Sequence, residues 1–193
     1  MQTLDRPTRG ALSVLQTPRI RGLVATAQQA NPGTPLLICG EPGVGKDVLA
    51  RLVHAVSPRQ AYPFIKVNCR DQALRLIQVL KTGEVCREGG REATRVDVRV
   101  IASAVAPAER DNQDHLWREL RRLDTTEVRI PPLRQRADEI PDFASFFAAR
   151  FSRQYHRDVR LCPETIAAFG AGEWRGNVRE LEEAVHELVR GRA

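Results

Sequence analysis

The segment Gly40–Lys46 has the spacing of residue types that binds phosphate groups. Its GxxxxGK pattern follows a short apolar run, Pro35–Cys39, and precedes a stretch whose apolar residues recur at helical spacing from Val48 to Val56. Glycines let the backbone wrap so that its N–H groups converge on phosphate oxygens, and the start of a helix adds a partial positive charge. Lys46 would then reach the β- and γ-phosphates of a nucleotide.

The residue after Lys46 is Asp47, whereas such loops usually have a Ser or Thr there, whose hydroxyl binds Mg²⁺. A carboxylate at this position either holds Mg²⁺, directly or through water, or repels the nucleotide. The residue types alone leave both alternatives open. They also leave open a third, a glycine-rich turn between strand and helix that binds no ligand.

The elements that must position this loop alternate between strand and helix. This alternation predicts an α/β fold, a three-layer α/β/α arrangement with a parallel sheet. The predicted strands are Pro35–Cys39, Phe64–Cys69, Val96–Ile101 and Glu127–Ile130.

From Asp138 onward the pattern is purely helical and predicts a small all-α domain, whose last helix we expect Asn177 to cap. The predicted units are a lead-in with one helix (1–34), a nucleotide-binding core (35–136) and a helical lid (137–193).

Composition excludes several classes of protein. The net charge is +6, but acidic residues are interspersed among the basic ones, which favours a solvated arginine-rich surface over a nucleic-acid-binding stripe. No apolar run approaches the roughly 18 residues of a membrane helix, and the start lacks a signal-peptide core, so we expect no membrane association and a cytoplasmic location. The four cysteines lie far apart, without metal-site spacing.

Several stretches, in order along the chain, resemble the central AAA+ domain of bacterial sigma-54-dependent enhancer-binding activators. Gly40–Asp47 is similar to their GESGTGKE, in which an acid also follows the lysine, and the segment from Pro63 to Cys69 is similar to PFVAVNC. Further matches are Leu76–Glu84 to LLRVLQEGE, Val96–Ala102 to VDVRVIA, Ile130–Pro141 to LPPLRERXEDIP, and Trp174–Leu181 to WPGNVREL.

The resemblance implies that ATP or ADP binds between neighbouring subunits of a ring, with or without Mg²⁺. The partner would be a second copy or another AAA+ subunit, and the transcription machinery is a further candidate. Arg118 and Arg122 loosely match the stretch that offers arginine fingers to the neighbour, with a solvated helix face as the alternative. The nucleotide-binding positions implied are Gly40, Glu41, Pro42, Gly43, Val44, Gly45, Lys46, Asp47 and Val48 in the loop, and Arg179 as the lid arginine (sensor II). Asp47 is also the one candidate metal ligand.

What the family has and this sequence lacks is equally informative. Between PFVAVNC and LLRVLQEGE the family has several dozen residues, among them the GAFTGA loop that engages sigma-54 and the strand ending in the Walker B acids. Here Leu74 follows Cys69 after four residues, and no apolar strand ends in Asp-Glu. The family's sensor I asparagine falls on Val105, and the nearest acid to the missing ones is Asp71. The sequence thus predicts a Walker A motif without Walker B, catalytic residues that stay unknown, and a sheet one strand narrower, with Phe64–Cys69 beside Val96–Ile101.

Three functions follow from this pattern. The first is a regulatory module in transcription control that binds ATP or ADP and hydrolyses it slowly or not at all. The second is an active ATPase that drives sigma-54-dependent transcription, and the third is a scaffold that binds no nucleotide and uses the AAA+ oligomer face. No helix-turn-helix pattern occurs in the sequence, so we expect no direct sequence-specific DNA binding.

Overall fold

The loop lies at the end of a buried central strand. A computed structural model of the chain describes residues 17–31, 33–67, 69–86, 89–90, 92–105, 119–120 and 122–191. Strand β1 (Leu36–Gly40) is buried along its whole length and lies between β4 (Ile101–Val105) and β5 (Thr126–Arg129). Both neighbours run parallel to β1, with Gly40 opposite Val105 and Cys39 opposite Arg129.

Helices cover both faces of this sheet. Alternate residues of β1 point to opposite faces, so the strand contributes side chains to the packing on each side. Leu36 and Ile38 pack with the helices α1 (Pro18–Gln29) and α2 (Lys46–Ala55). Leu37 and Cys39 pack on the other face with Ile77 of α3 (Cys69–Thr82) and with Leu120. The predicted three-layer α/β/α fold is confirmed.

Two of the predicted strands are wrong in their placement. Cys69 begins α3, and within residues 64–67 only Ile65 makes an isolated bridge, so no strand lies at Phe64–Cys69 among the described residues. The strand predicted at Val96–Ile101 lies five residues later, at β4. The expected pairing of these two segments therefore does not form, and β4 pairs with β1 instead.

The described sheet has three strands, and a separate antiparallel hairpin joins β2 (Glu84–Cys86) to β3 (Ala93–Arg95). Sequence reasoning did not predict this hairpin. None of the described helices is long and apolar enough to cross a membrane.

The C-terminal helices build their own core. They are α4 (Ile140–Tyr155), α5 (Pro163–Gly170) and α6 (Asn177–Arg190), preceded by 3-10 turns at Leu133–Gln135 and Ala137–Glu139. Phe143, Phe147 and Phe151 of α4 pack against Leu181 and Val185 of α6. The start of α6 faces the phosphate loop, which brings the lid to the candidate site.

Candidate phosphate-binding loop

Local geometry makes the loop a tight turn between β1 and α2. Gly43 and Gly45 have φ angles of 77° and 103°, a left-handed conformation that glycine adopts at no steric cost. A Cβ on Gly40 would lie 2.9 Å from the carbonyl oxygen of Ile130 and 2.9 Å from Val44 Cγ2, so glycine is required there for space. The loop thus closes the carboxyl end of the buried strand, where α/β sheets commonly bind ligands.

The ammonium group of Lys46 lies over the start of the loop. Its Nζ donates hydrogen bonds to the backbone oxygens of Gly40 and Glu41, each at 2.8 Å. Burial lowers the pKa of Lys46 below its ordinary value. A partly desolvated cation in this position interacts strongly with an anion, because water screens it less than it screens a surface lysine.

Glu41 links the loop to the C-terminal part of the chain. Its carboxylate accepts two hydrogen bonds from the guanidinium of Arg134, at 2.8 and 2.6 Å, and one from Asn177 Nδ2 at 3.1 Å. Hydrogen bonds from Arg134 and then Asn177 lower the pKa of Glu41 from 4.5 to about 2. The side chain is therefore an anion whose charge is already neutralised by Arg134.

Asn177 does not have the predicted role of helix cap. Gly176 is the N-cap residue of α6, and its N–H donates to Glu180 Oε2 at 2.7 Å. The buried side chain of Asn177 reaches across the interface instead. Its Nδ2 donates to Glu41 and to the carbonyl of Pro42, and its Oδ1 accepts from the N–H of Leu133.

Asp47 is engaged with two cations. Its carboxylate lies 3.1 Å from Arg51 Nε and 3.0 Å from Lys66 Nζ. Burial opposes its ionisation, but the hydrogen bonds from Lys66 and Arg51 outweigh this effect and hold the pKa of Asp47 below its ordinary value. The carboxylate is thus neutralised within the protein, which removes most of its repulsion toward a polyphosphate.

Asp47 stays a predicted metal ligand, and its surroundings can be described. Within the described part of the chain, no three His, Cys, Asp or Glu side chains come together as a group that could hold a metal ion. At nucleotide sites Mg²⁺ is bound by one or two carboxylates together with phosphate oxygens and water. Asp47 would have to exchange Arg51 or Lys66 for the metal ion to act in this way.

The candidate arginines are placed unequally. Arg179, at the start of α6, donates its backbone N–H to the carbonyl of Gly43 at 3.3 Å, while its guanidinium is 79% exposed and pairs with Glu183 at 3.3 Å. Arg122 is exposed and pairs with Glu119 at 2.8 Å. Arg118 lies outside the described residues. Val44 is buried, and Val48 packs at the edge of the core.

Two positions bear on hydrolysis. Val105 ends β4 opposite Gly40, beside the start of the loop, and its apolar side chain is half exposed. It offers no hydrogen bond to a water molecule or phosphate. Asp71 lies within α3 and not at the end of a strand. Among the described residues, no carboxylate therefore occupies the end of a sheet strand beside the loop.

Sequence reasoning missed the roles of Arg134 and Arg136 and misassigned Asn177. Arg136 is 1% exposed and donates from Nη2 to the carbonyl of Val44 at 2.9 Å. The spacing of these residues carries no signal of a contact with the loop, since 92 to 136 positions separate them from their partners there. Their membership in the matching stretches Ile130–Pro141 and Trp174–Leu181 was the only available hint.

Two families match this chain. The Sigma-54 interaction domain matches residues 14–77, and the AAA+ ATPase lid domain matches residues 134–191. Among curated relatives, a Nif-specific regulatory protein of Sinorhizobium fredii (strain NBRC 101917 / NGR234) is 28% identical over 97% of this chain and 40% of its own length. The DNA-binding transcriptional regulator NtrC of Rhizobium meliloti (strain 1021) is 29% identical over 80% of this chain and 42% of its own length. The chain thus spans about two fifths of these relatives.

Solved structures agree with this fold. The structure of NtrX from Brucella abortus in complex with ADP has a TM-score of 0.75 at 22% identity, covering 94% of this chain and 52% of that one. Its complex with ATP also has a TM-score of 0.75, covering 98% of this chain and 51% of that one.

The sequence comparison also measures what this chain lacks. The comparison with the Sinorhizobium relative extends over 241 positions, although this chain has only 193 residues. At least 48 positions of the relative therefore have no counterpart here, which agrees with the several dozen residues expected to be absent.

Proposed function

We propose that this chain, which belongs to the sigma-54 activator branch of the AAA+ proteins, is a regulatory module in transcription control that binds ATP or ADP and hydrolyses it weakly or not at all. The observation that carries the proposal is the position of Lys46. Its partly buried ammonium group lies over a left-handed loop between a fully buried strand and a helix start. That arrangement supports phosphate binding, because main-chain N–H groups, the helix start and the ammonium group all favour an anion.

The loop provides the other binding groups. The residues proposed to hold the nucleotide are Gly40–Val48, with Arg179 from the lid. Lys46 would release the carbonyls of Gly40 and Glu41 to reach phosphate oxygens. The guanidinium of Arg179 would exchange Glu183 for the terminal phosphate, a modest cost because exposed ion pairs contribute at most about 1 kcal/mol.

The proposal of weak hydrolysis is supported by the groups that the described residues place beside the loop. Hydrolysis of the phosphoanhydride bond between the β- and γ-phosphates of ATP needs a side chain that positions the water and carboxylates that hold Mg²⁺. Val105 supplies neither at the strand end beside the loop, and Asp47 is paired with Arg51 and Lys66. We therefore propose that any Mg²⁺ enters bound to the nucleotide, without ligands from this chain.

Partners and location remain proposals of the same kind. We propose a second copy of the chain or another AAA+ subunit as the partner, acting in the cytoplasm on the transcription machinery. Arg122 pairs with Glu119 of its own chain, so an arginine-finger role would require that pair to open. The proposed units stay 1–34, 35–136 and 137–193.

The test uses two of the three lysines. Fluorescently labelled ATP and ADP are titrated into the wild type, Lys46→Ala and Lys81→Ala; Lys81 is the matched control because it pairs with Glu119, away from the loop. We expect Lys46→Ala to weaken binding at least 100-fold and Lys81→Ala to bind like the wild type. Equal binding by the wild type and Lys46→Ala would refute the proposal.

Two further measurements separate the alternatives. Phosphate release is measured with the same variants, and rapid Lys46-dependent release would favour an active ATPase. Thermal unfolding is measured with and without nucleotide, since a ligand at about 100 times its dissociation constant adds roughly 2.7 kcal/mol to stability. An unchanged melting temperature would favour a scaffold.

A further inference from the structure

Helix α4 has one face in the lid core and one face turned to solvent. Its buried phenylalanines pack against α6. Because an α-helix has about 3.6 residues per turn, Asp142, Ser145, Ala149 and Arg153 project from the opposite side of α4, and all four are exposed. The packing of the lid core therefore makes no use of these four side chains.

Two open hollows lie along this outer face. One has a volume of about 730 Å³ and extends to the turn at 156–161 that follows α4. The other, of about 480 Å³, extends to the start of α1 at Thr17 and Pro18. Ser145, Ala149 and Arg153 line both hollows and form the ridge where they adjoin. A ridge beside a hollow suits a second helix, because the side-chain ridges of one helix pack into the grooves of another.

The charges on this face are of opposite sign at its two ends. Asp142 lies in the first turn of α4 and Arg153 in the last, about 16 Å apart along the axis at 1.5 Å per residue. Among the residues that the structure describes, neither side chain has an ion-pair partner. Arg153 donates one hydrogen bond, from Nε to the carbonyl of Ala149 at 3.3 Å. Both charges are therefore available to a group outside the chain.

The other arginines of the larger hollow are engaged within their own chain. Arg157 Nη1 donates to two carbonyls at the C-terminal end of α6, at 3.0 and 2.9 Å. Arg160 Nε lies 3.7 Å from Asp158 Oδ1. Arg153 is thus the arginine of this hollow that can pair with a partner without giving up a contact to another element.

A second copy of α4 matches this face better than a partner of one charge. An acidic peptide along the helix would meet Asp142, and a basic peptide would meet Arg153. In two antiparallel copies related by a two-fold axis, Asp142 of each helix faces Arg153 of the other, which forms two equivalent ion pairs. Ser145 and Ala149 lie between these ends, and their small side chains let the two helix axes approach each other closely.

We propose that the chain forms a two-fold dimer through the outer face of α4, with Asp142 and Arg153 fixing the antiparallel orientation of the two helices. This face is on the side of α4 away from α6, and the start of α6 contacts the phosphate loop through the N–H of Arg179. The dimer contact therefore does not involve the loop. The inference goes beyond the proposed function and does not depend on nucleotide binding.

Sedimentation equilibrium without nucleotide measures the mass of the wild type, Asp142→Arg and Arg153→Asp over a range of protein concentrations. We expect the wild type to reach twice the monomer mass. We expect each reversal to weaken dimerisation at least about 10-fold, because like charges then face each other across the contact. Glu173→Arg and Arg175→Asp are the controls, since they make the same changes of net charge at an exposed pair outside α4. Both controls are expected to dimerise like the wild type.

An equimolar mixture of Asp142→Arg and Arg153→Asp separates a lost contact from a lost fold. In the mixed dimer both facing pairs are again of opposite sign, so we expect the mixture to dimerise although neither variant does so alone. The double variant Asp142→Arg with Arg153→Asp exchanges the two charges within one chain and is also expected to dimerise. Variants that had failed to fold would be restored in neither sample.

Three results would overturn the inference. The first is a wild type that stays monomeric up to millimolar concentration, which would leave this face to a different partner. The second is a dimer that both single reversals leave intact, and the third is a mixture that stays monomeric while the wild type dimerises. None of these results bears on nucleotide binding, which the titration of Lys46→Ala tests separately.

Discussion

The ion pair between Glu41 and Arg134 makes the stability of the protein depend on pH in a defined direction. The pKa of Glu41 is about 2 in the folded protein against an ordinary 4.5. A carboxyl group whose folded pKa is depressed adds stability above its unfolded pKa and loses it as the pH falls through the folded value. The contribution of Glu41 is therefore complete above about pH 5 and is lost progressively toward pH 2.

The size of this contribution follows from the two pKa values. Their difference corresponds to an upper limit of about 3.4 kcal/mol, at 1.36 kcal/mol for each unit. The side chain of Glu41 is 28% exposed and that of Arg134 is 50% exposed, so solvent screens the pair and reduces the figure. We expect Glu41→Gln to lower the free energy of unfolding by about 1–2 kcal/mol at pH 7 and by much less near pH 2.

Urea unfolding of the wild type and Glu41→Gln at several pH values between 2 and 7 measures this difference. Glu182→Gln is the control, because Glu182 pairs with Arg150 at 2.8 Å within the lid and away from the loop. We expect the control to lose at most about 0.5 kcal/mol. Curves for the wild type and Glu41→Gln that stay parallel over the whole pH range would refute the reasoning.

Two other predictions concern the loop. Gly43→Ala forces a Cβ to 2.1 Å from the carbonyl of Gly176 at a φ of 77°, whereas Gly45→Ala has a similar backbone strain but nothing within 4 Å of the added atom. We expect Gly43→Ala to be less stable in urea than Gly45→Ala by at least about 1 kcal/mol, and equal stability would contradict the tight lid contact. Because Asp47 is paired with Lys66 and Arg51, we also expect ADP affinity in EDTA to stay within about threefold of that in Mg²⁺; a change above 10-fold would contradict this expectation.

The elements next to the loop could be predicted from the sequence because their signals are local. The apolar run that became β1 is buried on both faces, and the glycine spacing fixes the turn that follows it. Helix α1 (Pro18–Gln29) lies within the lead-in 1–34, for which the sequence predicts one helix. Such signals depend on neighbouring residues alone, so periodicity and turn chemistry are sufficient to read them.

The failed strand predictions have a tertiary cause. The segment from Phe64 to Val67 has strand-forming residues, but Ile65 and Val67 are exposed, and a strand needs a paired neighbour to be stable. β4 was misplaced for the opposite reason. Ala102 and Ala104 of β4 have low strand propensity. Their small side chains nevertheless pack with Ile77 and Leu120, and the backbone of β4 pairs in register with β1.

The Asn177 contact could not be predicted, because an asparagine before an apolar helical stretch has the same local pattern whether it caps its own helix or bonds a distant loop. The two arrangements differ only in what approaches the side chain after folding. The amide of Asn177 is hydrogen-bonded to Glu41, Pro42 and Leu133. The carboxylate of Glu180 accepts the hydrogen bond from the N–H of Gly176 at the helix start. The outcome depends on the docking of the lid and not on the helix itself.

The architecture explains how a chain that lacks at least 48 positions of the region it shares with its relative can keep a phosphate loop. Within the described part of the chain, Gly40–Lys46 is held by residues after β5, as shown by Ile130, Arg134, Arg136 and Asn177. The resemblance locates the missing segment and its hydrolytic acids elsewhere in the chain, between Cys69 and Leu76. This separation is the physical basis for proposing binding without efficient hydrolysis.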